Sequence, residues 1–208
     1  MNDSTLKESH VTRSLHQTVR KIRQNQVVGR LWNAYVRMSL RYYGIEWEGA
    51  SPAVYERIPF FTIEGKMSIG SHCHFYGEPS RCSFFVGSRG VLKIGRRCGF
   101  GSGVRIFATR LIEIGDYSRC GSGVMILDSN FHETVPGDPV ISKPVKIGRN
   151  VWLTDGCRVL RGAVIGDHSY FESGSVIKGE IPPKSFAAGI PAVVIRTFEC
   201  ADDWIRER

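Results

Sequence analysis

From Ile147 onward an apolar residue recurs at every sixth position: Ile147, Leu153, Val159, Ile165, Phe171 and Ile177. Four residues after each of the first five stands something compact: Val151, Cys157, Ala163, Ser169 and Ser175. The same register returns upstream in pieces, as Ile63, Ile69 and Phe75, then Ile94, Phe100, Ile106 and Ile112, then Ile114, Cys120 and Ile126. A period of six belongs neither to a helix nor to a plain strand. It describes a short strand followed by a turn: the aliphatic points inward, the small residue fits a crowded corner, and the chain bends. Three such units close a triangular coil, and stacked coils pair their strands in parallel, each burying its aliphatics against its neighbours. A β-sandwich would show plain alternation with turns every ~8–12 residues, which this chain does not. The predicted fold is all-β, a parallel β-helix over 61–196.

The register fails between His132 and Ile147, so 131–144 is predicted to protrude as a loop, with Pro136, Gly137 and Pro139 as breakers. Loops that leave a rigid solenoid are where binding and catalysis concentrate. Ahead of the repeat, Val27–Tyr43 reads as a helix with Val27, Leu31, Ala34, Met38 and Tyr42 on one face and Arg30, Arg37 and Arg41 on another. Gly44 is its expected stop. Met1–Gln26 is polar and basic, with a frayed helix and disorder both open. Glu46–Pro59 reads as a linker that caps the first coil. After the repeat, 197–208 is a tail carrying Trp204, expected to form a short helix near the end of the stack. The organisation is thus an arm, helix and linker over 1–60, the β-helix, and the tail.

Composition sharpens this picture. Hydrophobic residues at 42% and charged residues at 23% suit a packed core and exclude wholesale disorder. Glycine is enriched, at 23 of 208 residues, while proline is ordinary at 9, as expected of many tight turns. No apolar run reaches the ~18 residues of a membrane span, and no signal-peptide core opens the chain; a cytoplasmic location is expected. The six cysteines contain no C-x-x-C, which points to reduced thiols rather than disulfides or a zinc site. Of the net charge of +8, residues 1–43 hold +6. The body is nearly neutral, whereas nucleic-acid proteins spread basic residues over a folded face, so no nucleic-acid partner is expected. The basic helix has two readings: its apolar stripe lies on the inner face of an anionic membrane, or it covers the open strand edges of the first coil.

The stretches Ile147-Gly-Arg-Asn-Val-Trp-Leu, Gly162-Ala-Val-Ile-Gly-Asp, Gly174-Ser-Val-Ile, Ile181-Pro-Pro and Ala188-Gly-Ile-Pro-Ala-Val-Val-Ile-Arg196 resemble the hexapeptide-repeat acyltransferases. They are most similar to the galactoside/maltose and polysaccharide O-acetyltransferases. The resemblance implies a left-handed β-helix, a homotrimer, and acetyl transfer from acetyl-CoA to a saccharide hydroxyl, with no metal. A xenobiotic acetyltransferase is the alternative within the class. A non-catalytic trimeric scaffold, or a metal-dependent hydratase like the γ-carbonic anhydrases, are those outside it.

Such transfer needs a base that works near neutral pH, and histidine, with an ordinary pKa of ~6.5, suits it. His10 and His16 lie in the arm, His72 and His74 flank Cys73 at a coil corner, and His168 sits in a turn read as solvated. His132 stands where the repeat breaks, within Asp128-Ser-Asn-Phe-His132, which resembles the segment carrying the family's catalytic base. Asp128 and Asn130 share a strand face that the resemblance implies contacts the acceptor, with Trp152 close by. Asp128, Glu133 and a carbonyl all stand open as the group that orients His132. For the donor, the resemblance implies contacts from Asp155, Ser173, Gly174, Lys178 and Arg196. Thr154-Asp155 and Glu172-Ser173 depart from the family's usual small residues at these turns. Cys157 falls in the small-residue register and reads as packing, and Gly99-Phe-Gly-Ser-Gly reads as coil corners, since no βαβ unit surrounds it.

Overall fold

A computed structural model describes residues 26–206; the arm before them, with His10 and His16, and the last two residues lie outside the described part. The described chain divides into two units between Ser39 and Leu40. An α-helix, Gln26–Tyr42, spans the boundary.

Parallel pairing dominates the larger unit. Strands from successive coils stack into a first sheet of seven strands, a second of eight and a third of six. The chain visits them in rotation: Lys66–Ile69 in the first, His74–Tyr76 in the second, Ser83–Val86 in the third, then Val91–Ile94 back in the first. The six-residue repeat produces this because each strand is short and each turn restarts the register. Ile69, Ile94, Ile114, Ile147, Ile165 and Ile181 fall in one inward column of the first sheet. All are buried. The early coils fill the centre with rings instead, Phe75 stacking on Phe100 at 5.0 Å and Phe61 on Phe84 at 5.5 Å.

The small residues of the repeat have a second reason to be small and polar. At the corners, Cys73, Cys98 and Ser118 donate to the carbonyls of Gly95, Gly115 and Gly148 in the next coil, at 3.1, 3.3 and 2.8 Å. Cys157 donates likewise to Glu172 O at 3.2 Å. Each thiol or hydroxyl thus gives a corner carbonyl a donor from outside the strand ladders. Aspartates reach the other way: Asp116, Asp167 and Asp155 accept from the amides of Arg96, Arg149 and Ser122 in the preceding coil, at 2.9, 2.8 and 2.7 Å. Coil approach is so close here that a Cβ on Gly115 would lie 2.6 Å from the Gly148 backbone.

Three expectations need correction. Pairing begins before Phe60: Glu46–Trp47 joins the first sheet and Ala53–Tyr55 the second, so the supposed linker is the first coil. Among its described residues the tail forms no helix. After an antiparallel hairpin of Ser185–Gly189 and Ala192–Thr197, residues 198–206 run back along one corner as a strap with one turn, closed by Trp204 N donating to Ala201 O at 3.0 Å. Finally, His168 is not solvated but buried beneath that strap, at 2% exposure.

Candidate functional site

The predicted loop leaves the third sheet after Met125–Leu127 and returns at Val145–Ile147. Its base is tied by side chains. Asp128, wholly buried, accepts from the amides of Thr109, Arg110 and Leu111 at 2.7–2.9 Å and from the Thr109 hydroxyl at 2.8 Å. A short acidic side chain is what this position needs, because the 109–111 corner turns three backbone donors inward. The resemblance implied that Asp128 meets the acceptor; in this chain its carboxylate is buried and engaged by the 109–111 corner, and it anchors the corner from which the loop springs. The Asp128 carbonyl in turn accepts from Lys143 N at 2.8 Å, closing the loop's neck.

Asn130 works on the loop itself. Its Oδ1 accepts from Ile141 N at 2.7 Å and its Nδ2 donates to Thr134 Oγ1 at 3.2 Å. Phe131 takes a left-handed φ of 59°, with its amide donating to Ser129 Oγ at 3.0 Å and its ring against Phe107. That reversal delivers His132 to the outside. The imidazole is exposed, and the His132 amide donates to Asn130 O at 2.7 Å. Glu133, an open choice for orienting the base, instead accepts from Gly137 N.

The remaining predicted residues lie on other edges of the same solenoid. Trp152 stands half-buried on the outer side of the second sheet, edge-on to Tyr170 at 5.5 Å. Asp155, Ser173 and Gly174 form the corner between the second and third sheets. There Asp155 caps Ser122 N, and Ser173 Oγ donates to Thr154 Oγ1 at 3.2 Å. Thr154 is accommodated because its hydroxyl donates to Phe171 O at 2.6 Å. Lys178 is exposed at the corner between the third and first sheets. Arg196 lies on the terminal hairpin, its guanidinium 5.1 Å from the Phe186 ring. The single chain thus groups Asp128, Asn130 and His132 at the loop neck, and Asp155, Ser173 and Gly174 at a separate corner. Among the described residues, no cluster of three His, Cys, Asp or Glu is arranged to hold a metal ion.

Sequence reasoning missed two features. One is the strap: Arg149 donates to Asp202 O and, at 3.4 Å, to Asp203 O, Asn150 Nδ2 to Trp204 O at 3.0 Å, and Arg206 Nη2 to His168 O at 3.1 Å. The other is a notch on the second sheet beside His74 and Trp152. Gly99, read as a corner, is a strand residue there.

Residues 144–179 match the model of the bacterial transferase hexapeptide (six repeats). A galactoside O-acetyltransferase of Escherichia coli K12 is 38% identical over 34% of this chain and 35% of its own length. A putative lipopolysaccharide biosynthesis O-acetyl transferase, WbbJ, of the same strain is 30% identical over 53% of this chain and 62% of its own. The chain therefore spans about a third to three-fifths of these relatives. Among solved structures, the N-acyltransferase AntD from Bacillus cereus, in complex with dTDP and 3-hydroxybutyryl-CoA, superposes with a TM-score of 0.64 at 16% identity, covering 78% of this chain and 88% of AntD. In repeat, in fold and in its relatives, the chain resembles the hexapeptide-repeat acyltransferases.

Proposed function

We propose that the chain transfers an acetyl group from acetyl-CoA to a saccharide hydroxyl, of a surface polysaccharide or its precursor, with His132 as general base and three chains as the working assembly. The observation that carries this reading is the delivery of an exposed His132 imidazole from a loop neck pinned by Asp128 and Asn130. A proton acceptor held out to solvent from a rigid support is what general-base catalysis asks of a protein.

Acetyl-CoA supplies an acyl thioester. The His132 imidazole takes the acceptor's hydroxyl proton as that oxygen attacks the thioester carbonyl. When the carbon–sulfur bond breaks, the imidazolium returns the proton to the departing sulfur. Backbone N–H groups of a neighbouring coil hold the oxyanion. Cys157 takes no part, since it is buried and burial raises its thiol above the ordinary range.

For the donor, Ser173 and Gly174 offer an exposed corner, with nothing within 4 Å of where a Gly174 Cβ would sit. Lys178 and Arg196 are exposed cations suited to phosphates, and Trp152 flanks the acceptor. The separation of these residues from His132 within one chain favours a site shared between neighbouring subunits. Closed cyclic symmetry gives three equal copies of such a site. The outer stripe of the Gln26–Tyr42 helix and its arginines would then hold the assembly at the inner face of an anionic membrane. The test is release of free thiol from acetyl-CoA across a panel of nucleotide sugars, oligosaccharides and antibiotics. Turnover with saccharides supports the reading; turnover confined to antibiotics, or none at all, rejects it.

A further inference from the structure

Where the first sheet turns into the second, charge alternates from coil to coil. Arg96, Asp116, Arg149 and Asp167 take equivalent places there, each just after a corner glycine. Arg96 Nε donates to Asp116 Oδ2 at 2.7 Å, and Arg149 N to Asp167 Oδ1 at 2.8 Å. Alternation is the stable choice, because coils stack ~4.8 Å apart and like charges directly opposite destabilise a sheet.

The corner between the third and first sheets breaks that rule. Five successive coils present Arg89, Arg110, Lys143, Arg161 and Lys178 there. Bonds between coils fix the order: Arg110 O accepts from Val91 N at 3.1 Å, Arg110 Nη1 donates to Ser142 O at 3.3 Å, and Gly162 N donates to Lys143 O at 3.2 Å. Arg161 is half-buried and the other four are exposed. At one cation per coil the row spans roughly 19 Å. Acids within the row are Asp128, buried on the 109–111 corner, Glu133, which accepts from Gly137 N, and Asp138 in the loop. Glu64 and Glu180 mark its two ends.

The adjoining face has the same sign. No strand of the third sheet contains an acid, and its cations, Arg105 and Arg158, stand exposed on either side of Met125 in the register. Among the described residues, none of the cations in the row or on this face forms an ion pair. A column of like charge costs stability that a neutralising ligand offsets, and this ligand must be a chain with anions recurring along the solenoid axis. Nucleic acid would need free rings for its bases, whereas the flanking rings of Phe85, Phe107 and Phe131 pack on one another. We infer that the ridge binds a linear anionic polysaccharide, carrying a carboxylate or phosphate on its recurring units, laid across the coils past the loop of His132. This rests on the acetyl-transfer reading and narrows its acceptor to a charged polymer.

Isothermal titration of the full chain, without acetyl-CoA, compares polygalacturonate, galacturonate, dextran and an oligothymidylate. Polygalacturonate should bind at least about tenfold more tightly than galacturonate, as linked repeats do, and dextran should give no heat. Arg89→Gln with Arg161→Gln should weaken polygalacturonate binding about tenfold or more while leaving the thermal melt unchanged. Arg30→Gln with Arg37→Gln removes the same charge from the helix Gln26–Tyr42 and should change binding less than about twofold. Undiminished binding by the folded ridge variant, or an equal loss in the helix variant, would overturn the location. Oligothymidylate bound as tightly as polygalacturonate would overturn the saccharide assignment, and dextran bound as tightly would overturn the charge argument. Because no donor is present, a failed thiol-release assay leaves these titrations standing. Conversely, thiol release with neutral sugars but no polygalacturonate binding would sink the ridge alone.

Discussion

At the scale of single residues, Asp128 and His132 divide the work of one short segment. Asp128 is fully buried and spends its carboxylate on three amides and a hydroxyl. Hydrogen bonds to a charged group contribute ~1.5–3 kcal/mol each, and donors left unpaired cost more. Asp128→Ala should therefore lower stability by at least ~3 kcal/mol, a drop in Tm of roughly 6–12 °C for a chain of this size, seen by calorimetry. His132 carries no such load. His132→Ala should melt within a degree or two of the native chain yet turn over ~10²–10⁴ more slowly, the range for a lost general base. A variant keeping a third of native activity would remove His132 from the role. Alternation put Asp128 and Asn130 on one strand face, which the resemblance implied meets the acceptor; alternation shows which residues share a face and not which way it points. The break in the repeat, together with the family resemblance of the 128–132 segment, singled out His132 as the candidate base. What Asp128 does became visible only with the 109–111 corner, which lies 17–19 residues earlier in the chain.

At the scale of elements, the hexad pattern made the solenoid readable because period-six aliphatics have no other packing that buries them all. It failed at both ends for one reason. Glu46–Trp47, Ala53–Tyr55 and the 198–206 strap are held by neighbours rather than by a repeat of their own. The strap also explains the burial of His168, whose Nδ1 lies 2.9 Å from Asn150 Nδ2 and whose ring faces Trp204 at 6.0 Å. Burial lowers its pKa from the ordinary 6.5, and the Arg149 charge lowers it further; Asp167 opposes this, and Lys184 adds to the lowering. Asp202 and Arg206 complete the charged surroundings. A base with a depressed folded value stays neutral in the folded state while the unfolded chain takes up protons. Its contribution is present above ~6.5 and is lost as pH falls through the folded value. Protonation also replaces the acceptor at Nδ1 by a donor aimed at the Asn150 amide. Hydrogen-exchange protection factors for 198–206 should therefore fall as pH drops below ~6.5. His168→Asn keeps an acceptor and tolerates the left-handed φ of 64° found there; its protection should not change with pH in that window. Equal pH dependence in both chains would clear His168 of any part in holding the strap.

At the scale of the whole molecule, most of the net charge lies in residues 1–43, and the helix Gln26–Tyr42 holds its apolar residues where water can reach them. Val27, Leu31, Tyr35 and Met38 are 51–66% exposed, while Val36 and Leu40 are the buried positions. The predicted stripe is real, but it is the outer face of the helix. An exposed apolar row flanked by Arg30, Arg37 and Arg41, all exposed, fits a helix lying in an anionic interface with its rings at headgroup depth. Each arginine near such a surface contributes ~1 kcal/mol, fading within a Debye length. A lipid-linked acceptor would then meet the enzyme on the surface where both reside. In cosedimentation, the intact chain should bind vesicles of phosphatidylserine and phosphatidylcholine at low salt, bind them less at high salt, and ignore phosphatidylcholine alone. Leu31→Glu with Met38→Glu changes exposed side chains only, so the fold should survive and binding should drop more than tenfold. Replacing the three arginines by glutamine should remove the salt dependence first. If the intact chain stays in the supernatant with anionic vesicles at every ionic strength, the membrane reading is wrong, and the stripe must be covered by protein instead.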